Sequence, residues 1–288
     1  MPMRPRTLLL AAALAAATPM ARVHAQAADA AADAAARAVA SWIVVDAPPG
    51  SEGRPNLNKV FAGWTVDAWG NYSKRVGSGR PRRVVACALD QSGYVVSQIT
   101  DDGFLRLRRS GQGIPHQLWD QFHEGQRLRV LTATGVVRAI SAVANGHFAS
   151  LHRADSLVAT VDQLWVDVGA SSADDVRRRG IALLDPVLYD RPAWTFEGYA
   201  TGPGAGARAG CAAVASAAKG TPRTGETIFV LSTQRIFGWV GLGAFLARLG
   251  PVDVVTLFED GRPATTGAGR SEEHTSELQS LAYLVCRL

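Results

Sequence analysis

Residue types able to do chemistry occur at several places in the 288-residue chain, but most lack the neighbours their chemistry requires. Nucleophilic hydrolysis needs a hydroxyl or thiol activated by an adjacent base. No Gly-x-Ser-x-Gly elbow is present, and Cys87 and Cys211 have no histidine beside them in sequence. His147 and His152, with His116 and His123 nearby, offer imidazoles. A zinc site would add Cys or His at tetrahedral spacing, so all four are expected at the surface. Gly202-Pro203-Gly204-Ala205-Gly206 has the glycine content of a phosphate loop. Pro203 interrupts it and no P-loop lysine follows; a dinucleotide fingerprint would follow the first strand of a βαβ unit and carry an acidic residue about twenty positions on. Nucleotide is therefore not an expected ligand.

Three other segments carry more information: Ala88-Leu89-Asp90-Gln91-Ser92-Gly93, Gly206-Ala207-Arg208-Ala209-Gly210-Cys211 and Ser232-Thr233-Gln234-Arg235-Ile236-Phe237-Gly238. In order and spacing they resemble the motifs His-x-Asp-Glu-x-Gly, Asp-(Asn/Asp)-Arg-x-Gly and Thr-x-Glu-Glu-x-Gly. These belong to the glutamyl-aminopeptidase-like family of dinuclear metallopeptidases, the tetrahedral and deblocking aminopeptidases. The surrounding text is also similar. Val66-Asp67-Ala68-Trp69-Gly70-Asn71 resembles the family's strand and tight turn, and Asp101 to Leu105 and Asp167 to Ser172 match as well. The resemblance runs from about Trp42 to Asp260.

In such a hydrolase, carboxylates and imidazoles fix two divalent metals, usually zinc or cobalt, and a free carboxylate takes the proton from metal-held water. Carried across residue by residue, the resemblance puts the first metal histidine on Ala88 and the bridging aspartate on Gly206. The general-base glutamate falls on Arg235, and its metal-binding neighbour on Ile236. Alanine and glycine have no donor atom, isoleucine is apolar, and arginine is a fixed cation that accepts no proton. A glycine at 206 is expected to have relaxed into a backbone conformation that aspartate adopts only at a cost. Asp90, at the position that supports the metal histidine from behind, and Glu259, where an aspartate ligand would fall, keep carboxylates. The expectation is that no catalytic or metal residue of the family is retained and that no cofactor is bound. The chain then reads as an exported, non-catalytic homologue of the metalloaminopeptidases with a peptide-binding or assembly role. The alternative is an active metal-dependent aminopeptidase with unusual ligands, Asp90 and Glu259 among them. A third reading is a scaffold carried by a β insert, which in the family mediates oligomer contacts. A peptide and a homo-oligomer are the partners implied.

Both ends are expected to lie outside the fold. Residues 1–25 read as a Sec-type bacterial signal peptide: Arg4 and Arg6, an apolar stretch from Thr7 to Thr18, and a small-x-small site at Val23-His24-Ala25. This core is too short to span a bilayer, and no later segment supplies 18 uninterrupted apolar residues, so no membrane is expected after cleavage. The expected location is periplasmic or secreted. Arg270 to Leu288 resembles the conceptual translation of a sequencing adapter, so residues 270–288 are expected to be an artefact that packs on little, and the natural C-terminus to be lost. Without both ends, 25 basic and 22 acidic residues remain, a net +3 too mild to argue for nucleic acid. Cys87 and Cys211 are then the two cysteines left. An exported pair can form a disulfide, whereas their apolar surroundings suit buried thiols, and the sequence leaves both states open.

The elements that must position the three motifs follow from pattern. The expected fold class is α/β: a zinc-peptidase-like α/β/α sandwich with a mixed central sheet, interrupted by an inserted PDZ-like β-barrel. Residues 26–41 form an Ala-rich leading segment that favours helix. The first part of the peptidase-like domain covers 42–93, with Val84 to Leu89 a continuous apolar run suited to a buried central strand. The insert covers 94–193, with strands at Tyr94–Ile99, Phe104–Arg108, Gln126–Ala133 and Gly135–Ile140, and a helix over Ala173–Arg179 capped by Ser172. The second part covers 194–269, with a helix over Ala207–Lys219, a strand at Thr227–Ser232, a helix over Gly241–Leu249 stopped by Gly250-Pro251, and a strand at Val252–Phe258.

Overall fold

A computed structural model describes residues 29–50, 55–110, 125–142, 161–190, 192–222, 224–258 and 284–287. The signal segment, the four histidines at 116, 123, 147 and 152, and Glu259 lie outside the described residues. The chain opens with α1 (29–43), whose Ala36, Val39 and Ile43 recur at helical spacing and are buried against Ala200 and Ala205. Asp33 on this helix accepts the Gly198 N–H at 2.8 Å and so anchors it. A short helix α2 (Pro55–Val60) precedes β1 (Thr65–Val66), β2 (Tyr72–Gly77) and β3 (Arg82–Ala88).

Between β3 and the next strand of the same sheet, the chain builds a closed barrel. Its strands are β4 (Gly93–Ile99), β5 (Phe104–Ser110), β6 (Arg127–Thr132), β7 (Gly135–Ala142), β8 (Trp165–Asp167) and β9 (Pro186–Tyr189), in the order β4-β5-β8-β7-β6-β9. Alternation of period two sends Tyr94, Val96, Leu105, Leu107, Leu128, Val130, Val166 and Val187 inward. Helix α3 (Ala173–Arg178) adds Val176 to that core. Ser172 caps it as expected, its Oγ accepting the Asp175 N–H at 3.2 Å.

The chain then forms β10 (Trp194–Phe196), β11 (Tyr199–Gly202), α4 (Ala205–Ala217), β12 (Glu226–Ser232), α5 (Val240–Leu249), β13 (Val254–Phe258) and β14 (Leu284–Arg287). The central sheet has the order β1-β2-β12-β3-β13. It is mixed: β12 and β13 run parallel to β3, and β2 runs antiparallel to β12. One face packs Val84, Ala86, Ile228 and Val230 against Leu242 and Phe245 of α5. The other packs Cys87, Leu89, Phe229 and Leu231 against Cys211 and Val214 of α4. Strands buried on both faces read as continuous apolar runs, which is why Val84 to Leu89 is recognisable in the sequence.

One expectation needs correction. After the barrel, β10 and β11 form a hairpin in a separate three-stranded sheet. The third strand of that sheet is β14, within the residues expected to pack on little, and it pairs Leu284 to Arg287 with Gly202 to Tyr199. The physical reason is that an open strand edge offers a row of backbone donors and acceptors, which any β-prone segment can satisfy whatever its origin.

Candidate functional site

The parallel pairing of β3 with β12 places Ala88 opposite Ser232, and the Leu89 N–H continues the ladder to the Ser232 carbonyl at 2.7 Å. The two loops that leave these strands therefore emerge side by side at the carboxyl ends, where open α/β sheets place their ligands. Asp90 leaves β3 and is almost entirely buried (6 % exposed). Its Oδ1 accepts the Arg235 N–H at 3.0 Å and its Oδ2 the Ile236 N–H at 3.1 Å. The carboxylate thus holds the start of a 3-10 turn, Arg235–Phe237, entered through Gln234 at φ +58° and left through Gly238 at φ +83°.

Helix α4 brings the second motif to the same end. Gly206 lies in its first turn, and Arg208 reaches back toward the loop after β3. The Arg208 guanidinium is buried (1 % exposed) and donates to Leu89 O at 2.6 Å, Val45 O at 2.8 Å and Gln91 Oε1 at 2.6 Å. One turn further along, Cys211 is bonded to Cys87, closing a span of 124 residues. That settles the pairing the sequence left open. Gly210 lets this helix approach β13: a Cβ there would sit 3.0 Å from the Phe258 Cβ.

A second polar network braces the 3-10 turn from the far side. Asn71, fully buried, accepts the Thr233 N–H at 3.0 Å and donates to Gly241 O at 3.0 Å and Asp67 Oδ2 at 2.9 Å. The Thr233 hydroxyl donates to Trp69 O at 2.7 Å, and Arg248 forms a salt bridge with Asp67. Gly241 has no room for a side chain, since a Cβ would lie 2.5 Å from Thr233 O. Sequence reasoning includes Arg208, Thr233 and Asn71 only as parts of the matched motifs and misses what they hold together. The motif match is the available signal for Arg208 and Thr233, whereas Asn71 reads only as turn chemistry.

The structure thus brings Ala88, Asp90, Arg235 and Ile236 together directly, and Gly206 through the Arg208 hydrogen bonds and the disulfide. One expectation is corrected: Gly206 is not among the glycines with positive φ but sits in ordinary helical backbone at the start of α4. Helix hydrogen bonding holds φ and ψ whether or not a side chain is present, and a helix N-terminus favours a carboxylate. Chemically, the residues at the ligand positions named by the resemblance do not fit a pair of divalent cations. Ala88, Gly206 and Ile236 carry no donor, Arg235 is cationic, and both Asp90 oxygens already accept backbone N–H groups. Among the described residues no group of three or more His, Cys, Asp or Glu is arranged to hold a metal.

This sheet, interrupted by a barrel and closed by helices on both faces, is shared with solved aminopeptidases. An aminopeptidase of the archaeon Desulfurococcus kamchatkensis superposes with a TM-score of 0.67 at 23 % identity, over 78 % of this chain and 63 % of that one. The TET1 peptidase of Pyrococcus horikoshii, described as assembling into a tetrahedron or a large octahedral shell, gives 0.66 at 25 % identity, over 77 % of this chain and 67 % of that one. The chain belongs to the M42 glutamyl aminopeptidase family, whose profile matches residues 70–275. Among curated relatives, the aminopeptidase homologue SgcX of Escherichia coli (strain K12) is 31 % identical over 193 residues, 64 % of this chain and 50 % of the relative. The chain thus spans about half the length of that relative.

Proposed function

We propose that this chain is a non-catalytic member of the aminopeptidase family, exported to the periplasm or secreted, with a peptide-binding or assembly role. The observation that carries the reading is a partition within the three motifs. Residues that match the family each serve the framework. Asp90 holds the 3-10 turn, Arg208 ties α4 to two loops, Thr233 joins the Asn71 network, and Gly210 admits β13. Residues that depart from it, Ala88, Gly206, Arg235 and Ile236, are those the chemistry would require. Selection on a scaffold without selection on hydrolysis leaves that pattern. The Cys87–Cys211 disulfide supports an oxidising compartment. The six-stranded barrel is read as a PDZ-like insert in an α/β/α sandwich, with residues 1–25 a signal peptide and 270–288 an artefact. Homo-oligomerisation is proposed from the Pyrococcus horikoshii TET1 structures, one of which is described as a dodecamer.

The test is release of a chromogenic amine from a panel of aminoacyl anilides with zinc, cobalt or manganese supplied, alongside elemental analysis. No turnover above a mock purification and no stoichiometric metal are expected. Arg235→Glu alone should rescue nothing. A general base helps only where a metal lowers the pKa of the water it deprotonates, from about 15.7 toward about 7. Chelator-sensitive turnover by the unmodified protein would reject the reading and promote an active enzyme with unusual ligands.

A further inference from the structure

A groove of about 400 Å³ lies on the barrel between β4 and α3, lined by Ser97, Gln98, Ile99, Arg177, Ile181 and Leu183. None of these residues belongs to the site at the ends of β3 and β12, so a role for the groove is independent of whether that site hydrolyses anything.

One wall of the groove is a length of strand edge. β9 pairs with β4 at Tyr94 and Val95, and its approach makes a last exchange with Val96: Leu184 N–H to Val96 O at 2.8 Å, and Val96 N–H to Asp185 O at 3.0 Å. Beyond that point, among the described residues, nothing pairs with this side of β4. The ladder to β5 shifts register between Val96 and Gln98, a bulge that leaves Ser97 and Gln98 exposed. Thr100 N–H turns to Phe104 O on the β5 side at 2.9 Å, so alternation turns the Ile99 N–H and C=O toward the groove.

The opposite wall gives the groove a direction. Ala173 N–H bonds Asp101 O, which sets the start of α3 at the turn end of β4. The end of α3, with Arg177, therefore lies toward Val96, with Ile181 and Leu183 following. There the groove is closed by Leu183 and Leu184, which are 59 % and 73 % exposed, Leu184 at φ +67°. An added strand in line with β9 runs antiparallel to β4 and meets this closed end with its last residue. The lining holds a cation and no carboxylate. Arg177 pairs with Asp174 at 2.7 Å, but the two side chains are 60 % and 80 % exposed, so a ligand carboxylate can replace that partner. Asp185, outside the lining, directs its Oδ2 to the Ala182 N–H at 2.8 Å.

We propose that this groove docks the C-terminal end of an extended polypeptide, which adds to the open edge of β4, sets its terminal carboxylate against Arg177 and lays an apolar side chain on Ile181 and Leu183. Main-chain pairing would supply affinity, and the closed end with its cation would supply selectivity for a free terminus.

The experiment screens the full chain against random peptides displayed with free C-termini. The strongest binder is then resynthesised with an N-terminal fluorophore, as free acid and as C-terminal amide, for anisotropy titration. The free acid is expected to bind with Kd below about 100 µM, and the amide at least about tenfold more weakly. Arg177→Glu should weaken the acid by about tenfold, and Arg178→Glu, outside the lining, should leave it unchanged. Leu183→Asp, at an exposed position, is the second variant should Arg177→Glu fail to fold, and should weaken binding by a similar factor. Failure to select any peptide, equal binding of acid and amide, or an unchanged Kd in a folded Arg177→Glu overturns the proposal. So does a sedimentation result in which Arg177→Glu or Leu183→Asp dissociates a dimer, which would assign the groove to a second copy of this chain.

Discussion

Arg208 shows what a single residue does here. Its guanidinium gathers Leu89 O, Val45 O and Gln91 Oε1, which lie on segments far from it in sequence, and a planar fork with five donors is the side chain suited to that geometry. Buried oxygens that lose a donor cost far more than the hydrogen bond contributes when made. Arg208→Ala is expected to lower stability by about 3 kcal/mol or more in urea unfolding. Arg208→Lys should recover only part of that, because an ammonium cannot reach three divergent acceptors in one plane. Full stability in the lysine variant would show that charge, not the fork, is what the site needs.

Among elements, the junction of α4 with β3 and that of β13 with β3 are cross-linked in different ways. The Cys87–Cys211 bond ties α4 to β3 across 124 residues, and a loop of that length removes considerable entropy from the unfolded chain. Replacing both cysteines with alanine should reduce stability by between about 2 and 5 kcal/mol, measured with and without reductant, and reductant should then have no further effect on the variant. The start of β13 is held by Asp253, which accepts the Arg82 N–H at 2.6 Å and pairs with Arg80 at 2.8 Å. The Arg82 N–H first, and the Arg80 guanidinium second, hold this carboxyl below the ordinary aspartate value of 3.8. Such a depressed pKa contributes stability that is fully present above 3.8 and lost as pH falls through the lower folded value. Asp253→Asn should therefore be less stable than the native chain near neutral pH, with the difference shrinking below 3.8. Urea titrations at about pH 7 and about pH 3 check this, and a constant difference would contradict it.

At the scale of the molecule, β13 is an edge strand of the central sheet. Among the described residues it pairs with β3 alone, and all five of its residues, Val254 to Phe258, are exposed. A long apolar edge without charge or proline is a template for association with other chains. Leu257→Lys on that edge should reduce the high-mass fraction in size-exclusion chromatography at raised protein concentration, without lowering stability. An unchanged profile would show that association, if present, uses another surface.

How much of this is legible in the chain itself varies by element. Val84 to Leu89, Thr227 to Ser232 and the alternating strands of the barrel stand out because burial on two faces or one imposes a pattern on neighbouring residues. The identities at 88, 206, 235 and 236 are likewise a property of sequence, and no tertiary arrangement can give alanine, glycine or isoleucine a metal-donor atom. The choice of hydrogen-bonding partners needed the fold. That Asp90 serves the 3-10 turn, that Asn71 joins Asp67, Thr233 and Gly241, and that Cys87 meets Cys211 depend on strands distant in sequence lying in register. The tail strand β14 and the helical backbone of Gly206 went against expectation for the same reason. A backbone responds to the hydrogen-bonding partners around it, and these come from parts of the chain that local pattern does not see.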